Sequence, residues 1–114
     1  MKIINFKDME AREVKEAGAV GVTIRWLISA NDGAPNFAMR LFEVRPDGCT
    51  PYHQHKWEHE AFILAGKGNL VLEDKTVPLN KGDAVYVPGE ENHQFKNAST
   101  ENLVFLCMVP NKMI

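Results

Sequence analysis

Short apolar runs, each closed by a turn of glycine, proline, asparagine or aspartate, recur along almost the whole of this 114-residue chain. Val22, Ile24, Trp26 and Ile28 alternate with Thr23, Arg25, Leu27 and Ser29, a period of two that places one set of side chains on each face of a strand. The bulkier set must be buried against something. Residues 31–36 then read as a turn, and residues 37–45 as a second strand with Phe37, Met39 and Leu41 on one face, ended by Pro46-Asp47-Gly48. Further strands are predicted at 60–64, 69–73, 76–79, 84–87, 94–97 and 103–109. Only residues 8–17 read as helical, with Asp8 as the cap and Gly18 as the stop. A parallel α/β design would need a helix between strands. The expected fold class is therefore all-β, a sandwich or barrel.

A chain of this length has room for one packed core and is expected to form one domain. Hydrophobic residues at 45% and charged residues at 25% are ordinary for a globular protein, and no stretch is long and apolar enough to span a bilayer. The first ten residues mix charges with apolar side chains and lack the continuous core of a secretory signal, so a cytoplasmic location is expected. Thirteen basic and 15 acidic residues are interspersed for a net charge of −2, which leaves no basic field for a nucleic-acid backbone. Cys49 and Cys107 are far apart and in no C-x-x-C arrangement, consistent with a reducing compartment and no disulfide scaffold.

The four histidines fall into one pattern, His53-x-His55-x3-His59 and then His93. On an extended chain His53 and His55 point the same way and form a chelating pair. His59 follows after the length of a bend, and His93 must fold back from a separate segment. A competing geometry exists, because His55-Lys56-Trp57-Glu58-His59 spells H-x-x-E-H, which on a helix would set two histidines one turn apart. Gly48 and Pro51 upstream, and the run Ala61-Phe62-Ile63-Leu64 stopped at Gly66-Lys67-Gly68, favour strand, turn, strand instead.

These residues resemble the cupins over residues 36–109. The family's first motif is matched by Gly48, His53, His55 and Gly66, with His59 standing where most members have glutamate. The second is matched by Gly82, Pro88, His93 and Asn97. Glu90 occupies the place of the motif's middle glycine and Gly89 lies beside it, so the turn is expected to shift by one residue. The resemblance implies a small jelly-roll β-barrel with a divalent metal in its mouth, held by His53, His55, His59 and His93. Glu60 is the alternative third ligand. Imidazole suits Fe, Co, Ni, Cu and Zn, while Mn prefers more oxygen, so the identity of the metal stays open among these six. Four ligands on an octahedral ion leave two positions for water, dioxygen, peroxide or a chelating substrate.

Phe95 shares a face with His93, and Phe105 shares one with Cys107, so these three residues are candidate walls of a pocket over the metal. Arg40, inside an otherwise apolar strand, is a candidate partner for an anionic substrate. Tyr52 and Trp57 are candidates for the rim. With all four histidines as ligands, Glu60 or metal-bound hydroxide would serve as base. The expected function is a metal-dependent enzyme of redox or dioxygenase type acting on a small molecule. The alternative is a non-catalytic, metal-assisted binding protein for a small ligand. The resemblance also implies a homodimer that packs or exchanges the strand at 22–28.

Overall fold

The computed structural model describes residues 1–111 and shows nine strands in one continuous, curled antiparallel sheet. In chain order they are β1 (Arg12–Glu13), β2 (Val20–Ile28), β3 (Phe37–Cys49), β4 (His59–Ala65), β5 (Lys67–Leu72), β6 (Thr76–Asn80), β7 (Ala84–Val87), β8 (His93–Asn97) and β9 (Leu103–Pro110). Their spatial order is β6-β5-β8-β3-β9-β4-β7, with β2 on the other edge of β3 and β1 beyond it. β3 explains the curl. Its residues from Phe37 to Val44 pair with β9, and at Cys49 the partner becomes Lys96 of β8. The two halves of the sheet therefore face each other across one interior, and the expected all-β jelly-roll is the fold observed.

Alternation decides what enters that interior. In β9 Leu103, Phe105, Cys107 and Val109 are buried while Val104, Leu106, Met108 and Pro110 are only partly covered. In β4 His59, Ala61 and Ile63 point in, while Glu60, Phe62 and Leu64 point out. Val22, Val44, Ile63, Leu103 and Phe105 close the inner end of the core, and burying side chains of this size contributes about 1.5–3 kcal/mol each.

Three expectations need correction. Residues 8–17 form no helix. Phe6–Asp8 is a short 3-10 turn, and Arg12 and Glu13 pair with Ile24 and Thr23 as β1. Those ten residues offer few apolar side chains to bury along a helical face, whereas an added strand satisfies the edge of β2 and lays Val14 on the core. Pro46-Asp47-Gly48 does not end the second strand. β3 runs through it with Asp47 at φ 65, opposite a register shift between Val20 and Val22 where Gly21 has φ 64, so the turn signal marks a bulge. The turn before His93 is not displaced either. Glu90 itself takes φ 66 at the position of the family's glycine, while Gly89 sits so close to the Lys56 carbonyl that no side chain would fit.

Candidate metal centre

The residues between β3 and β4 return along the start of β8. Thr50 donates its N–H to the Phe95 carbonyl at 2.9 Å, and the Phe95 N–H donates to Thr50 Oγ1 at 2.9 Å. His53 and His93 exchange both main-chain hydrogen bonds, at 3.2 and 3.0 Å, which makes them a directly opposed pair with side chains on one face. His55 follows two residues later and His59 opens β4. The strand, turn, strand reading therefore holds, and the helical H-x-x-E-H geometry is absent among the described residues.

The imidazoles gather into one cluster. Ring centroids of His53 and His93 are 5.1 Å apart, those of His53 and His55 are 4.7 Å apart, and those of His55 and His59 are 4.3 Å apart. Nitrogen atoms of His53, His55 and His93 lie within 4.8 Å of one another. His59 falls outside that set of three but adjoins it, with Nε2 3.0 Å from both ring nitrogens of His55.

Outer partners orient three of the rings. Nδ1 of His53 faces Glu16 Oε2 at 2.8 Å, Nδ1 of His93 faces the Glu91 carbonyl at 2.8 Å, and Nδ1 of His59 faces Cys107 Sγ at 3.2 Å. With Nδ1 as donor in each pair, Nε2 keeps its lone pair for the centre of the cluster. His55 stacks on Trp57 with centroids 4.4 Å apart and the planes 2° from parallel. Burial pushes the His59 pKa down to about 2 and that of His55 to about 4, the neighbouring histidines adding to both shifts, and burial also lowers that of His93. Rings held neutral are ready to bind a cation. This donor set fits a divalent transition metal, with His53, His55 and His93 as its holders and His59 beside them.

The cluster forms one wall of a cavity of about 610 Å³, within the range of small-molecule sites. The remaining walls come from Ile24 and Trp26 of β2, Arg40 and Phe42 of β3, Phe95 of β8, and Phe105 and Cys107 of β9. Phe95 and Phe105 stack at 4.4 Å, and Phe42 stacks on Phe105 at 5.2 Å. The structure thus brings all four expected pocket residues, Arg40, Phe95, Phe105 and Cys107, to the same space. Trp57 lines it as well, whereas Tyr52 is exposed and does not.

Glu60 is a correction. Because His59 points inward, the alternation of β4 turns Glu60 to the outer face, beside Tyr86 and Met108, where it reaches neither the histidines nor the cavity. Val22 of β2 is buried in the core and Ile24 and Trp26 line the cavity, so the alternating apolar set of this strand faces the interior of its own chain. Sequence reasoning passed over Glu16 because it sits in the stretch read as helix, and spacing gave it no mark. Phe42 carried a signal, two residues beyond Arg40 on a strand.

The cupin domain profile matches residues 40–109. The chain belongs to the cupin family. Among solved structures, this cupin is similar to the polyketide cyclase RemF from Streptomyces resistomycificus, with a TM-score of 0.92 and 40% identity over 97% of this chain and 80% of the other. A 1-methylthio-D-xylulose 5-phosphate methylsulfurylase from Rhodospirillum rubrum is 37% identical over 71 residues, 62% of this chain and 46% of the relative. An oxalate-binding protein from Thermotoga maritima is 31% identical over 74 residues, 61% of each. The cupin spans about half the length of the curated relatives it matches. Among the described residues no helix is long and apolar enough to cross a membrane.

Proposed function

We propose that this cupin is a metal-dependent enzyme that closes a ring in a flat small molecule carrying several carbonyl groups, the chemistry of a polyketide cyclase. The observation that carries the reading is its 40% identity to RemF over 97% of the chain at a TM-score of 0.92. The cavity agrees with it. Trp26, Phe42, Phe95 and Phe105 give planar walls against which a conjugated or poly-enolic chain can lie folded. His53, His55, His93 and, as fourth member, His59 would hold a divalent ion, which when bound polarises a carbonyl oxygen. Apolar walls exclude water around the reacting carbons and hold the two ends in contact. Ring closure joins a methylene carbon to a carbonyl carbon, the first methylene proton passes to the carbonyl oxygen, and the resulting hydroxyl leaves with the second methylene hydrogen as one water while a carbon–carbon double bond forms. No electron acceptor is consumed.

An oxygen-using reaction at open metal positions is the competing reading, and a non-catalytic binder is the third. The protein loaded separately with Zn, Fe, Co, Ni, Cu or Mn is incubated with a synthetic aryl triketone under argon and under air. Loss of one water at equal rates in both atmospheres is expected. Product that appears only in air and gains oxygen would replace the cyclase with an oxygenase, and unchanged triketone retained on the protein would leave a binder. The proposal extends to a cytoplasmic location, supported by the two unpaired cysteines, and to a homodimer formed by the outer sheet face.

A further inference from the structure

Arg40 stands in a row across three strands, with Trp26 of β2 and Cys107 of β9 as its direct partners. All three side chains point into the cavity. The guanidinium carbon lies 5.4 Å from the Trp26 ring and 5.0 Å from the Phe42 ring, and Nη2 donates to Cys107 Sγ at 3.0 Å. Sulfur is a weak acceptor, and Nε is buried with no acceptor among the described residues. Among the described residues no carboxylate pairs with this charge. Glu43 faces the outer side of the sheet and pairs with Arg25 at 3.6 Å, Glu60 is outside, and Glu16 at the mouth is bound to His53.

A half-buried guanidinium that lines a cavity without a counter-ion invites an anion, and its rigid fork of donors matches an oxyanion. The aromatic faces on either side hold it in place and continue into the stacked Phe42–Phe105–Phe95 wall. Through Cys107 the fork is also tied to His59, so an anionic oxygen at Arg40 and a second oxygen at the histidines would lie on one side of the same flat slot.

We infer that Arg40 is an anion anchor, and that the cavity selects a flat conjugated molecule with a carboxylate or enolate at one end and a carbonyl directed to the histidines. This inference rests on the reading of the cavity as the substrate site. It narrows the ligand to an acidic aromatic or acidic polyketone.

Trp26 and Trp57, the two tryptophans of the chain, both line the cavity, so their fluorescence reports binding directly. Chelator-treated protein at about pH 8, where free imidazoles are neutral, is titrated with 2-naphthoate, its neutral isostere 2-naphthamide, and the enolate 2-hydroxy-1,4-naphthoquinone. At least one anion is expected to bind about tenfold or more tightly than the amide. The stronger of the two identifies carboxylate or enolate as the native group. In Arg40→Gln that preference falls to about twofold or less, and Arg40→Lys, which keeps charge without the fork, keeps only part of it. Equal binding of amide and anions by the native chain, or an undiminished preference in Arg40→Gln, would overturn the anchor. If the glutamine variant fails to fold by circular dichroism, the native comparison and the lysine variant decide alone. Anion preference without triketone turnover would keep the anchor and discard the cyclase, and turnover without anion preference would do the reverse.

Discussion

Sγ of Cys107 lies 3.2 Å from Nδ1 of His59. The same atom accepts from Arg40 Nη2 at 3.0 Å, so a buried sulfur joins one histidine of the cluster to the cation of the cavity. Burial pushes the Cys107 thiol pKa up, and the sulfur therefore sits there as a neutral thiol. Cys107→Val should fill the space while leaving both nitrogen donors unpaired, at a cost of about 1–3 kcal/mol. Cys107→Ser, which restores an acceptor, should lose less. Urea unfolding of the chelator-treated proteins measures both, and a valine variant as stable as the native chain would show that the sulfur is only packing.

Three imidazoles that converge within 4.8 Å make each one necessary. Calorimetric titration of chelator-treated protein should give about one divalent ion per chain. His53→Ala, His55→Ala and His93→Ala should each abolish tight binding, and His59→Ala should weaken it about tenfold or more. Glu60→Ala, on the outer face, should change nothing. Full affinity in the His59 variant would reduce the set to three histidines, and loss of affinity in the Glu60 variant would contradict the orientation of β4.

Glu16 acts on the site through His53, whose Nδ1 it faces at 2.8 Å. Glu16→Gln keeps the size and a hydrogen bond while removing the negative charge that makes His53 a better donor. Metal affinity should fall about 10- to 100-fold, as it does when an outer partner of a histidine ligand is lost. Thermal stability of the metal-free protein should barely move, since Glu16 is largely exposed. A large loss of stability with unchanged metal affinity would make Glu16 structural.

Strand content and the histidine cluster were legible because both rest on local periodicity. A period of two fixes which residues of β9 and β4 face in, and the His53–His93 pair follows once the chain returns along β8. Direction along a strand also puts His59 inside and Glu60 outside, since adjacent residues cannot both face the interior. The amino-terminal segment was opaque. β1 has two residues, no apolar alternation and no side-chain signal, and exists because the edge of β2 needs hydrogen-bond partners. Pro46-Asp47-Gly48 misled for a related reason, since a turn and a bulge call for the same residue types.

The outer face of the sheet supplies a test of association. Phe62 and Leu64 of β4 and Tyr86 of β7 are exposed at 41%, 37% and 62%, with Leu106 and Met108 beside them. A second copy of this chain would bury that apolar face. Sedimentation at micromolar concentration should show a dimer, and Phe62→Glu should give a folded monomer that still binds metal. A native monomer, or a dimer undisturbed by Phe62→Glu, would remove this face from consideration.

Acid stability of the metal-free protein follows from the buried rings. An unfolded chain protonates its histidines near pH 6.5, whereas in the folded chain His55 stays neutral down to about 4 and His59 to about 2. Above 6.5 both states carry neutral rings and stability is complete. As the pH falls below that value the unfolded state gains protons the folded state refuses, so stability declines steadily toward pH 4. Melting temperature of chelator-treated protein should therefore drop between pH 7 and pH 5. The drop should shrink in His59→Gln, which has no ring to protonate. An identical pH profile in that variant would mean that the burial of His59 is not what limits acid stability.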